Sequence, residues 1–156
     1  MIKPMRLPYE GTKADPEKTK AEIISLLKKF GIQDYQWSEE MGQPRLVFKT
    51  QIMADGKLKE WTVISTPTIM ARDKRVYDEE SRRMLKKPIP MYAVSYRIYL
   101  NHLKDKLTQV ALGASKFEEE FLADIAVMTA EGPKRLIEIV KTRNPSLLGL
   151  PEIATN

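Results

Sequence analysis

Residues 45–65 read RLVFKTQIMADGKLKEWTVIS, and this stretch decides the fold. Its first half alternates apolar and polar side chains, with apolar positions at Leu46, Phe48 and Ile52. Alternation with a period of two indicates a strand with one buried face. Asp55-Gly56 follows, and this dipeptide suits a tight hairpin turn because both of its residues accept a positive φ. The sequence therefore predicts two antiparallel strands, over residues 45–53 and 57–65.

The elements upstream of this hairpin also have clear signals. Residues 34–38 alternate Tyr35 and Trp37 with polar residues, which predicts a third strand. A helix is predicted before it, because Asp15 can accept an orphan N–H at the helix start and Pro16 suits the first helical position. Gly31 predicts the end of that helix.

Downstream, the sequence predicts three helices. A long one runs from Pro90 to about Leu112, with Val94, Ile98, Leu103, Leu107 and Val110 along one side. A capping box of Ser115 and Glu118 opens the second helix, whose predicted buried residues are Phe117, Phe121, Leu122 and Ile125. A short last helix follows Gly132-Pro133. The fold class is α+β: an N-terminal helix, a three-stranded antiparallel meander, then a long helix and two shorter helices.

The chain length of 156 residues fits one domain. We expect a single α+β domain over residues 15–143. Residues 1–14 contain two prolines and the cations Lys3, Arg6 and Lys13, which predicts an extended basic arm. Residues 144–156 contain Pro145, Gly149 and Pro151, which predicts an irregular C-terminal tail.

Composition excludes several classes of protein. The absence of cysteine rules out disulfides, thiolate metal sites and a cysteine nucleophile, and it favours a reducing compartment. No apolar run has the length of a signal peptide or of a membrane helix. We therefore expect a cytoplasmic protein with no membrane partner. A net charge of +5 favours acidic partners such as nucleic acid.

No residue pattern indicates a catalytic site. His102 is the sole histidine, and without cysteine it cannot build the usual zinc site. Glu118, Glu119 and Glu120 point about 100° apart on a helix and cannot converge on one ion. The few glycines are scattered and form no phosphate-binding loop. We expect no enzyme activity, no metal and no cofactor.

The segment from residue 71 to residue 87 has the highest density of positive charge. Its cations are Arg72, Lys74, Arg75, Arg82, Arg83, Lys86 and Lys87. They outnumber its four carboxylates by three, so a phosphate backbone would be attracted here. Pro88 and Pro90 would end any helix in this region. The alternative is a solvated, mobile linker, and the sequence does not separate the two.

The aromatic residues of the predicted strands also allow two interpretations. They are Tyr35, Trp37, Phe48 and Trp61. Such residues on a sheet can stack unpaired bases, but they share their positions with aliphatic residues, which favours core packing. In the second case the opposite face, with Gln36, Lys49, Gln51, Thr62 and Ile64, would meet a phosphate backbone. The predicted nucleic-acid-binding residues are thus Lys49, Trp37, Trp61 and the seven cations above.

Residues 96–125 read YRIYLNHLKDKLTQVALGASKFEEEFLADI. This stretch resembles a group of uncharacterised phage and prophage proteins that share a basic helix, a K-x-K-L segment and then F-E-E-E-F-L. Lys104–Leu107 and Phe117–Leu122 match these two motifs, and KAEIISLLKKFGIQDYQW at residues 20–37 resembles the group's first helix and strand. Pro88 and Pro90 depart from the pattern. The resemblance implies a viral context, and the cytoplasm would then be that of the host cell.

Two hypotheses of function follow. The first is a nucleic-acid-binding accessory protein for viral replication or recombination, with single-stranded DNA as the favoured ligand. A second copy of the chain and a replication or recombination protein are its further candidate partners. The alternative is a protein–protein adaptor or an inhibitor of a host or phage enzyme, acting through the long helix and the tail at Leu147–Leu150.

Overall fold

The computed structural model describes residues 8, 9 and 11–143. The helices are α1 (Pro16–Lys29), α2 (Tyr92–Ala111), α3 (Phe117–Phe121) and α4 (Leu136–Arg143), with a 3₁₀ turn at Leu122–Asp124. The strands are β1 (Asp34–Glu40), β2 (Gln43–Ala54), β3 (Lys57–Ser65), β4 (Ala71–Asp78), β5 (Arg83–Pro90), β6 (Ala126–Thr129) and β7 (Gly132–Arg135). The predicted α+β class is confirmed, with its first helix, its antiparallel meander and the long helix after it.

The chain forms two compact units, which are described separately. Unit 1 combines the residues up to Leu26 with Pro67–Asp105, and unit 2 combines Leu27–Thr66 with the residues from Lys106 onward. The single domain over residues 15–143 stays a prediction. Most of the predicted arm and all of the predicted tail at 144–156 lie outside the described residues. No helix in the described part of the chain is long and apolar enough to cross a membrane.

The meander β1-β2-β3 forms the sheet of unit 2. Phe48 pairs with Tyr35 on one side and with Val63 on the other, and both pairings are antiparallel. Asp55 and Gly56 have φ values of 53° and 72°, as the predicted tight turn requires. Met41 and Gly42 have φ values of 52° and 78° and make a second such turn. This turn was not predicted, and it makes β1 and β2 longer than the sequence pattern indicated.

Aromatic packing fixes the core of unit 2. The rings of Phe48 and Phe121 meet edge to face, with 5.8 Å between their centroids, and Phe117 stacks on Phe121 at 4.6 Å. Lys106 Nζ lies 5.2 Å from the centroid of the Phe121 ring and donates a 2.9 Å hydrogen bond to the carbonyl of Glu120. The motif residues Lys106, Phe117 and Phe121 are therefore packing residues.

Unit 1 contains most of α1 and α2 together with β4 and β5, and its core lies in the helical part. Its buried residues include Thr19, Ile23, Val94, Ser95, Tyr96, Leu100 and Leu103. On the rim of this core, the Arg97 guanidinium donates two hydrogen bonds, of 2.7 and 2.9 Å, to the two carboxylate oxygens of Glu22. A two-pronged pair of this kind fixes the orientation of both side chains as well as their distance.

The predicted ends of α1 are confirmed. The Glu17 N–H donates a 3.0 Å hydrogen bond to Asp15 Oδ1, and Pro16 is the first helical residue. Gly31 has a φ of 82°, and the N–H of Ile32 returns to the carbonyl of Leu27 at 2.9 Å. This is the hydrogen-bond pattern of a Schellman stop.

The predicted short helix after Ser115 is present, but its cap and its buried face differ from the prediction. Only α3 and the 3₁₀ turn are helical, and the chain then turns into the β6-β7 hairpin. The capping residue is Lys116, whose N–H donates to the Glu119 carboxylate at 3.0 Å, so Ser115 and Glu118 do not form the box. Ile125 makes a β-bridge to Val63 of β3. Because the stretch is rich in β-branched residues, this strand pairing is favoured over a longer helix. The start of α2 is also corrected, because Pro90 is the last residue of β5.

The sequence predicted that Phe121 and Leu122 are both buried, whereas the structure buries only Phe121. Phe121 is 1% exposed and Leu122 is 51% exposed. We expect Phe121→Ala to lower the free energy of unfolding of unit 2 by about 3–5 kcal/mol, because a large buried side chain is lost. Leu122→Ala, the matched control, should cost about 0.5 kcal/mol or less. Denaturant titration followed by tryptophan fluorescence measures this, since both tryptophans lie in unit 2. Equal losses would contradict the observed burial.

Candidate nucleic-acid interface

The basic segment forms an antiparallel β-hairpin in unit 1. β4 and β5 pair over eight positions, from Ala71 opposite Pro90 to Asp78 opposite Arg83. The segment at residues 71–87, for which a mobile linker was the alternative, therefore forms two paired strands. Pro88 and Pro90 fit within β5 because a two-stranded ribbon consists of edge strands, and an edge strand tolerates residues that lack an N–H.

The hairpin has no buried face. Every residue of its two strands is exposed apart from Asp78 and Ile89, which are half-buried. An isolated two-stranded hairpin is marginally stable in water, so contacts at its two ends matter. Two apolar cross-strand pairs near the turn, Val76 with Leu85 and Tyr77 with Met84, add local support.

The base of the hairpin is anchored to the start of α2. The Met91 N–H donates a 2.7 Å hydrogen bond to the carbonyl of Met70, which closes the ribbon at its base. The Met70 N–H donates to Ser95 Oγ at 2.9 Å, and the Ser95 hydroxyl donates to the Met91 carbonyl at 2.6 Å. Ser95 is buried, so this clasp is shielded from water. The clasp ties the base of the hairpin to the start of α2.

The turn of the hairpin is fixed by Asp78. Its carboxylate accepts a 3.0 Å hydrogen bond from the Ser81 N–H and lies 3.4 Å from Lys87 Nζ. The hydrogen bonds from Ser81, and then the Lys87 cation, lower the pKa of Asp78. A lowered folded-state pKa means that this contribution is present above the ordinary pKa near 3.8 and is lost as the pH falls through the folded-state value. The turn also contains Glu79 and Glu80, so the tip is acidic.

The register sorts the cations onto both faces of the ribbon, because paired residues share a face and successive pairs alternate. Face 1 has four cations and one carboxylate: Arg72, Lys74, Arg83 and Lys87, with Asp78. Face 2 has two cations and one carboxylate: Arg75 and Lys86, with Asp73. Arg82 lies in the turn, with a φ of 52°.

Two adjacent cross-strand pairs in the middle of the hairpin join cations to cations. Lys74 lies opposite Lys87 on face 1, and Arg75 lies opposite Lys86 on face 2. Like charges directly opposite each other destabilise a strand pair. The Lys86 ammonium is 3.9 Å from Asp73 and the Lys87 ammonium is 3.4 Å from Asp78, which offsets part of the repulsion in each pair. No described carboxylate lies within ion-pair distance of Lys74 or Arg75.

The other predicted site residues belong to unit 2. Lys49 is exposed on β2, with its ammonium 3.6 Å from Glu60. Trp37 and Trp61 are half-buried and share the face of the meander that buries Phe48 and Val63. On the opposite face, Ile64 is only 2% exposed, so part of that predicted backbone-binding surface is covered.

The remaining candidate features offer little chemistry. His102 is exposed on α2, and the described residues include no cluster of three or more side chains suited to hold a metal. Unit 2 has an open cleft of about 480 Å³ beside the β6-β7 turn, lined by Glu131, Lys134 and Glu138 among others. A second cleft, of about 260 Å³, is mainly apolar.

Comparisons with known protein families, with curated proteins and with solved structures give no match.

The like-charged pairs predict that a reversal of one charge stabilises the hairpin. Lys74→Glu places a carboxylate opposite Lys87, and we expect amide hydrogen exchange in β4 and β5 to slow by about 1.4- to 5-fold, which corresponds to ~0.2–1 kcal/mol for a favourable cross-strand pair. Lys104→Glu, an exposed position on α2, is the matched control and should leave these rates unchanged. Unchanged or faster exchange in the Lys74 variant would contradict the register.

Proposed function

We propose that this protein is a nucleic-acid-binding accessory protein and that the β4-β5 hairpin is its contact element. The observation that supports this most directly is the hairpin itself: a ribbon exposed on both faces, with seven cations against four carboxylates. The resemblance to phage proteins implies a viral context, and a role in replication or recombination is part of the proposal.

A bound polyanion would neutralise the cations that repel each other across the two strands of the hairpin. Each phosphate that meets a lysine or arginine releases condensed counterions, and this release drives binding. Lys74 and Arg75, for which no described carboxylate is within reach, lose no intramolecular ion pair when they meet phosphate. Seven of the ten predicted site residues lie on this element, so the binding energy would come mainly from it.

The adaptor hypothesis has less structural support. Its proposed contact surface was the long helix, but Val94, Leu100, Leu103 and Leu107 of α2 are buried. The tail segment Leu147–Leu150 lies outside the described residues. We therefore retain nucleic-acid binding as the proposed function.

Neutralisation of the hairpin tests the proposal. We expect Arg72, Lys74, Arg83 and Lys87 changed together to Gln to weaken binding to labelled oligonucleotides of any sequence about equally, because phosphate contacts contain no base information. If each cation meets one phosphate, the slope of log K against log salt should become shallower by about 3.6 on duplex DNA and about 2.8 on a single strand. Fluorescence anisotropy between about 50 and 200 mM salt measures both quantities.

The matched control removes the same charge elsewhere. Lys18, Lys29, Lys57 and Lys104 are all exposed and lie outside the hairpin. Changing these four residues to Gln should leave most of the affinity and of the salt slope in place. Equal losses in the two quadruple variants would show that binding follows net charge alone, and the hairpin would then have no special role. A parent protein that binds neither single strands nor duplexes at low salt would refute the proposed function.

A further inference from the structure

We infer that the hairpin's ligand is double-stranded DNA of B form, with the ribbon lying in the major groove and one face turned toward each phosphate backbone. This inference rests on the proposed function and names its ligand. It replaces the single-stranded DNA that the sequence favoured.

The first argument is the distribution of charge over the two faces. The pair Lys74–Lys87 is on face 1, and the pair Arg75–Lys86 occupies the next position along the ribbon, on face 2. A single strand that lies against one face neutralises one of these pairs and leaves the repulsion in the other. The two backbones that border a groove present phosphates to both faces at the same level. A duplex groove therefore meets both like-charged pairs at once.

The second argument is size. Side chains on both faces give a β-ribbon a thickness of about 10 Å, which is the usual spacing between packed sheets. The major groove of B-form DNA is about 12 Å wide and admits a two-stranded ribbon, whereas the minor groove is about 6 Å wide. The major groove of an RNA duplex is deep and narrow, which excludes an element of this thickness.

The third argument is the sign of the tip. At the tip, the three carboxylates of Asp78, Glu79 and Glu80 outnumber the two cations of Arg82 and Arg83, so its net charge is negative. Carboxylates repel phosphates, so the hairpin does not enter the nucleic acid tip first. The like-charged pairs are the fourth and fifth of the eight, near the middle of the ribbon. Nucleic acid that contacts the ribbon along its length, and not at its tip, agrees with both the charge of the tip and the central position of these pairs.

Two variants, each of which removes two positive charges from one face, measure the contribution of each face to binding. The first changes Lys74 and Lys87 to Gln, and the second changes Arg75 and Lys86 to Gln. On a B-form duplex, we expect each variant to reduce the salt slope by about 1.8, because about 0.9 is lost for each phosphate contact. The parent should bind the duplex more tightly than either separated strand and more tightly than an RNA duplex of the same sequence. Amide exchange in β4 and β5 verifies that each variant keeps the hairpin folded.

The outcomes distinguish the duplex inference from the proposed function. Equal slope losses for both variants, together with a preference for the B-form duplex, support the inference. Tighter binding to single strands or to the RNA duplex, or a slope loss confined to one face, overturns the duplex inference and leaves nucleic-acid binding in place. Absence of binding to all three ligands at low salt overturns the proposed function itself.

Discussion

The pairing of β2 on both of its edges is the constraint on which unit 2 depends. Because side chains alternate along a strand, a shift of one residue would turn Leu46, Phe48 and Ile52 from the core to the solvent. Tight turns at Met41-Gly42 and Asp55-Gly56 hold the two ends of β2, and both residues of each turn have positive φ. The rings of Phe48 and Phe121 then meet edge to face, which brings α3 onto the sheet. The register of one strand thus places the aromatic core.

Elements with one buried face could be predicted from the sequence. The spacing of apolar residues, the helix caps and the Asp55-Gly56 turn predicted the meander and α1, and the structure confirms both. The β4-β5 hairpin could not be found in this way, because a ribbon exposed on both faces has no alternation of apolar and polar residues. The seven cations of the site were identified, but their division between two faces follows from a register that composition does not reveal. The helix expected after Ser115 is present but short, because the chain next forms a long-range bridge to β3 that local helix signals do not reveal.

The two units use their residues for different purposes. In unit 2, the motif residues Lys106, Phe117 and Phe121 contribute to packing around Phe121. In unit 1, the hairpin keeps repulsive pairs that a sequence selected for stability alone would replace. Proteins tend to retain local conflicts of this kind where function requires them. The contrast explains why the most recognisable motif and the proposed site lie in different parts of the chain.

Pro88 and Pro90 have a consequence for self-association. An exposed strand edge is a template on which another copy of the same strand can pair, and this is a common route to aggregation. Prolines remove donors from the open edge of β5, and the dense positive charge repels an identical ribbon. Many copies of the protein can therefore crowd together without merging their hairpins into a continuous sheet. The ribbon's own sequence thus opposes strand-by-strand pairing with a second copy, although the ribbon has no core of its own.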